Sequence, residues 1–137
     1  MKKVLFLFVT MFLLFAISCE KDTKLSDFVV GKWKSQELVL GDSPFGTFTA
    51  TMNANNTYVL TFTLSDGSAS LTCPATGYTI DDDKSQITID EPDFDPNDNQ
   101  TPTGTQTFDV EWAKDSRIMT WIPQNGNDAP TLVWTKQ

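Results

Sequence analysis

Apolar and polar residues alternate with a period of two along most of the chain beyond residue 30. Thr47 to Asn53 places Phe48, Ala50 and Met52 on one side and Thr47, Thr49 and Thr51 on the other. Thr57 to Leu64 repeats the pattern with Tyr58, Leu60, Phe62 and Leu64, and Thr105 to Trp112 repeats it again with Phe108, Val110 and Trp112. Successive side chains of a strand point to opposite faces, so each run reads as a strand with one buried face and one wet face carrying β-branched Thr. Trp33–Leu40, Tyr78–Ile80, Gln86–Asp90, Ile118–Ile122 and Thr131–Lys136 bring the expectation to eight or nine antiparallel strands. The one helical feature expected is a short turn, Asp27 to Val30, capped by Ser26 and stopped by Gly31.

Turn-forming clusters separate the runs: Asp42–Gly46, Ala54–Asn56, Ser65–Ser68, Pro74–Gly77, Asp81–Ser85 and Ala113–Arg117. Asp66-Gly67 suits a two-residue turn with positive φ at both centres. That turn pairs Leu64 with Ala69, Phe62 with Leu71 and Leu60 with Cys73, while Thr63 meets Ser70 and Thr61 meets Thr72. Apolar meets apolar at every step, so turn chemistry and burial specify one register and turn Cys73 inward as a small hydrophobe. Ile118–Ile122 has two registers open to it. A four-residue turn sets Met119 and Trp121 beside Trp112 and Val110; a three-residue turn sets Ile118 and Ile122 there. Two connections are long, Glu91–Gly104 and Pro123–Pro130, and loops of that length commonly carry a role. Strands with one apolar face each close into an up-and-down β-barrel of about eight strands or stack as a β-sandwich; consecutive hairpin-like connections favour the barrel.

The first residues follow a different pattern. Lys2 and Lys3 precede Val4–Ile17, which is apolar apart from Thr10. A run of about 14 residues is short of the roughly 20 that span a bilayer and fits a secretory signal peptide. Phe15-Ala16-Ile17-Ser18-Cys19 resembles the bacterial lipobox, in which small residues precede a cysteine that is acylated and becomes the new N-terminus; Ala16 stands where Leu is commoner. The resemblance implies lipidation at Cys19 and a membrane link through its acyl chains. One chain alone anchors reversibly, at about 0.8 kcal/mol per buried methylene, and two or three make attachment effectively permanent. The expected organisation is a signal peptide at 1–18, a lipidated tether at 19–26 and a barrel domain at 27–137. The expected location is the cell envelope, as an outer-membrane lipoprotein facing the surface or the periplasm.

Removing residues 1–18 leaves 119 of 137 residues and takes the net charge from −8 to −10. Such a domain repels nucleic acid, and the lipid rather than a basic patch supplies the membrane link. There is no His, Arg117 is the only arginine, and Cys73 is the only cysteine besides Cys19. Histidine-based catalysis and His-ligated zinc are thereby excluded, and acylation of Cys19 leaves Cys73 without a partner for an intrachain disulfide.

Gly31-Lys32-Trp33 opens the first strand after a short apolar turn. This resembles the Gly-x-Trp start of lipocalins and their calycin relatives. The later order, with a Tyr- and Phe-containing strand ending in Asp66-Gly67, then Gly77-Tyr78-x-Ile80 and a last strand holding Trp134, resembles the small lipocalin-like lipoproteins of diderm bacteria. The resemblance covers about residues 27–136. It implies a barrel whose floor is marked by Gly31 and Trp33, with an open-ended cup for a small hydrophobic ligand. An Arg near the chain end normally packs on that indole. No Arg follows Arg117, so Lys136 has to stand in.

Eight acidic residues lie between Asp81 and Asp98. Asp93-x-Asp95-x-Asn97 resembles the opening of a calcium loop, but Asp98 stands where Gly is needed and Gly104 where the bidentate acid belongs, so the stretch reads as a solvated loop without a metal. No catalytic residue and no cofactor is expected. The candidate ligand-binding residues are the strand aromatics Tyr58, Phe62, Tyr78, Phe108, Trp112 and Trp121. The functional expectation is a non-catalytic, lipid-anchored binder of a small hydrophobic molecule. The alternative is a surface accessory protein that contacts a partner protein or glycan through its two long loops.

Overall fold

A computed structural model describes residues 22–93, 104–124 and 129–137. Cys19 with the stretch before it, and Asp95, Asn97 and Asp98 of the acidic connection, lie outside the described residues. One short helix, α1 (Leu25–Phe28), precedes ten strands: β1 (Gly31–Ser35), β2 (Leu38–Leu40), β3 (Ser43–Met52), β4 (Thr57–Leu64), β5 (Ser70–Thr72), β6 (Thr76–Asp81), β7 (Gln86–Asp90), β8 (Thr105–Trp112), β9 (Ile118–Pro123) and β10 (Leu132–Lys136).

The strands form a closed antiparallel up-and-down barrel of eight positions. Two positions are composite. β1 and β2 lie end to end along β3, and β5 and β6 lie end to end along β4. Pairing of β3 with β4 and of β1 with β10 closes the ring. Closure leaves no long free edge, and the apolar face of each strand finds the same interior. The core of the described residues lies between Leu25 and Trp134. A chain beginning at Glu20 therefore keeps α1, every strand and the whole of that core.

The two ends of the barrel differ. At the floor lie the short β3–β4, β6–β7 and β8–β9 turns, together with α1. At the mouth lie the β2–β3 and β4–β5 turns and the described ends of the two long connections, 91–93, 104, 124 and 129–131. The floor is plugged. Leu25, Phe28 and Val29 are buried against Trp33, and the Trp33 indole N–H donates to the Val29 carbonyl at 2.7 Å. Lys136 packs on the Trp33 indole: its Nζ sits 5.2 Å from the ring centroid and donates to the Phe28 carbonyl at 3.1 Å. Gly31 permits this arrangement. Its φ of 137° suits only glycine, and a Cβ there would come within 2.9 Å of the Lys136 stem.

Several expectations are corrected. The helical turn begins two residues earlier than its sequence signal, after Lys24, and Ser26 lies inside it. Its backbone N–H and its hydroxyl both bond the Asp82 carboxylate across the floor, each at 2.8 Å. The first strand breaks at Gln36-Glu37, because Gln36 is tied to the neighbouring end of β10. Its backbone N–H reaches Val133 O, and its side chain bonds the Thr131 carbonyl and the Val133 N–H. Asp42–Gly46 is not all turn: β3 already runs from Ser43. In the β4–β5 turn only Gly67 has positive φ, while the Asp66 carboxylate accepts the Ser68 N–H at 2.8 Å. The register expected from the sequence nevertheless forms, with Phe62 opposite Leu71 and Thr61 opposite Thr72. Of the two registers open to β9, Trp112↔Met119 and Val110↔Trp121 is the one adopted, leaving Ile118 exposed.

The predicted burial fails at Leu71, which is 56% exposed. The ring closes through the lower halves of β3 and β4. Their upper halves are flanked only by β2 and β5, which end the sheet. This four-stranded flap rises past the closed part of the barrel, so no described strand faces its inward side. Gly46 belongs to it. The Phe62 ring lies so close that a Cβ at Gly46 would meet it at 2.5 Å and the Thr63 carbonyl at the same distance.

Candidate functional site: a cavity at the barrel mouth

The inward faces of the strands converge on a cavity of about 550 Å³. Its wall is built by period-two positions of neighbouring strands: Phe48 and Ala50 of β3, Tyr58 and Leu60 of β4, Ile89 of β7, Phe108 of β8, Trp121 of β9, and Leu132 and Trp134 of β10. Toward the mouth the lining becomes mixed, with Glu91, Pro92, Thr105, Gln106, Ala129 and Pro130. A deep apolar wall with a few polar groups at one end is the usual make-up of a small-molecule pocket, and the volume falls within the usual range of roughly 300–1,000 Å³.

Three of the six candidate aromatics meet here. The Tyr58 ring forms part of the wall while its hydroxyl donates to the Asp90 carbonyl. Burial, with smaller contributions from Cys73, Asp90 and Glu91, holds the phenol proton far above its ordinary range. Phe108 and Trp121 pack together with centroids 5.5 Å apart, and Trp121 stacks on Trp134 at 5.1 Å. The other three lie elsewhere. Phe62 sits in the flap between Phe45 and Phe48, and Trp112 packs on Phe28 at the floor, 4.9 Å between centroids. Tyr78 is buried with its hydroxyl donating to the Asn53 carbonyl at the β3–β4 turn. Gly31 and Trp33 lie at the floor.

Phe48, Leu60 and Trp134 are cavity residues that the selection of aromatics passed over. Phe48 and Leu60 share the inward parity of Tyr58 on a paired strand, which was the available signal. Phe48 also lines an apolar hollow on the flap with Leu38, Phe45, Phe62 and Leu71, so the cavity wall continues onto that ledge.

Cys73 is buried behind β4, where its Sγ accepts the Leu60 N–H at 3.3 Å, and desolvation raises its thiol, which disfavours the reactive thiolate. Among the described residues no group of three or more His, Cys, Asp or Glu side chains is placed to hold a metal. Trp121 Nε1 donates to Met119 Sδ at 3.3 Å, whereas Trp134 Nε1, also buried, has no hydrogen-bond partner among the described residues. The chain matches no family model, no curated protein and no solved structure.

Proposed function

We propose that the protein is a non-catalytic, lipocalin-like lipoprotein of the cell envelope, anchored through Cys19, that binds a small hydrophobic molecule in its barrel. The observation that carries this reading is the cavity of about 550 Å³, walled by aliphatic and aromatic side chains and turning polar at the mouth. Side chains fill the floor end, so an occupant enters from the mouth and lodges against Trp121 and Trp134. The Lys136 contact over Trp33 supports the lipocalin-like reading. The sequence Ala16-Ile17-Ser18-Cys19 supports the anchor.

Native mass spectrometry on residues 20–137, purified without detergent, tests the cup. The expected result is an adduct that denaturation strips off. A clean apo mass after challenge with a mixed lipid extract overturns it. Cys19→Ala tests the anchor separately: the variant leaves the membrane fraction, and one that stays refutes lipidation.

A second reading, a surface accessory protein, draws support from the flap. Val39, Leu40, Phe45 and Leu71 are exposed there at the same end as the long connections. Paired Phe45→Ser and Leu71→Ser substitutions would leave ligand adducts intact and abolish partner capture if that reading holds.

A further inference from the structure

Resting on the cup reading, we propose that the occupant is an amphiphile with a cationic head, an alkyl- or arylammonium, and not a fatty-acid anion. The inference comes from where the charges lie. No Lys or Arg occurs in 35–83, 85–113 or 118–135. Those stretches contain both mouth-end turns and every described cavity-lining residue. The described cations, Lys24, Lys32, Lys34, Lys84, Lys114, Arg117 and Lys136, all sit just before α1, on β1, at the floor turns or at the end of β10. Among the described residues, the one charged side chain lining the cavity is Glu91.

An acyl chain and a cation make different demands on such a site. The aliphatic and aromatic wall accepts either tail. A carboxylate head would approach Glu91 with no counter-cation, and like charges in a partly desolvated site disfavour one another. An ammonium head would meet Glu91 and, deeper in, the faces of Tyr58 and Trp121, and aromatic faces attract cations electrostatically. Reversing the head from −1 to +1 at contact range of one carboxylate in a largely aqueous rim shifts affinity by about tenfold.

The test compares three probes with the same tail, dodecyltrimethylammonium, dodecanol and dodecanoate. Each is titrated below micelle formation into residues 20–137 at pH 7 and followed by tryptophan fluorescence. The expected order is ammonium tightest and carboxylate weakest, separated by about tenfold, shrinking in high salt and falling to near parity in Glu91→Gln. Equal affinities, or dodecanoate tightest, overturn the charge preference while leaving the cup intact. Failure of all three probes refutes the cup and the preference with it. Leu60→Trp, which fills the cavity, abolishes binding of every probe. A cation preference that survives this substitution is surface attraction to an acidic protein and overturns the proposal.

Discussion

The floor and the mouth of this barrel solve the same packing problem differently, and their two buried indoles show how. Trp33 at the floor and Trp134 under the cavity are both essentially inaccessible, at 0% and 1% exposure. Trp33 gives its N–H to Val29, carries the Lys136 ammonium over its face and packs against Phe28. Trp134 leaves its N–H unpartnered and borders about 550 Å³ of space. An unpaired buried donor and an unfilled core both cost stability. The cost is concentrated where the proposed ligand binds, and the floor, with its satisfied polar groups and closed packing, offsets it.

Removing the floor indole is the strongest way to break that contrast. Trp33→Ala is expected to destabilise residues 20–137 by about 3–5 kcal/mol in urea unfolding, the range for losing a large buried aromatic. A loss under about 1 kcal/mol would mean the floor does not hold the barrel together. The matched pair Trp33→Phe and Trp134→Phe sharpens the comparison, because both delete the same ring atoms. Only Trp33 also loses a hydrogen bond and strands the Val29 carbonyl. Trp33→Phe is therefore expected to cost about 1–2 kcal/mol more than Trp134→Phe. Equal losses would show that the Val29 bond contributes nothing net.

Lys136→Met comes next. It keeps the stem over Gly31 but removes the ammonium from both rings and from the Phe28 carbonyl. The expected loss is about 1 kcal/mol in the same assay. An unchanged midpoint would reduce Lys136 to a space-filling chain.

The contrast between the ends also explains what could be read from the sequence. Period-two alternation reports which side of a strand is apolar, and it does so faithfully for Phe48, Ala50, Tyr58, Phe108 and Val110. It does not report position along the barrel axis, which is set by non-local closure of β1 on β10 and of β4 on β6. Hence Phe62, on the same face as Tyr58, ends up in the flap, and Trp112, on the same face as Phe108, ends up at the floor. Leu71 shows the same limit: its partner was legible from the Asp66-Gly67 turn, but its exposure depends on where the ring closes. The Gln36 break depends on side-chain bonds to β10, nearly a hundred residues away in sequence. Lys136 was legible because only one cation stands at the chain end.

Alkaline titration probes the boundary between the two ends through Tyr58. Burial raises its phenol above the ordinary value of 10.0, so the folded protein holds the proton that the unfolded chain releases. Stability linked to Tyr58 is thus complete below about pH 10 and is lost as pH rises beyond it. Tyr78, also raised by burial, acts in the same window, and buried Cys73 begins from its ordinary value of 9.0. Tyr58→Phe is expected to flatten the fall in stability above pH 10 without abolishing it, in unfolding curves taken from pH 7 to 11. An unchanged slope would mean that the phenol ionises as freely in the barrel as in the unfolded chain.

The smallest effect on stability is expected where the effect on binding is largest. Leu60 lies half-buried on β4 beside the cavity, opposite Ala50, and its backbone is already committed to Cys73. In Leu60→Trp a larger ring has free space to enter, so the strain that normally follows overpacking, about 1–3 kcal/mol, should be largely avoided and the net change kept under about 1 kcal/mol. The same enlargement at Val29, wedged under Trp33 with 0% exposure, has no such space and should cost the full overpacking penalty. Urea midpoints for Leu60→Trp and Val29→Phe measure this directly. If both are equally destabilised, the space beside Leu60 is not available to a ring, and a ligand cannot use it either. If Leu60→Trp alone is tolerated and its ligand adduct disappears, room inside the barrel is confined to the mouth half, and that room is what the ligand occupies.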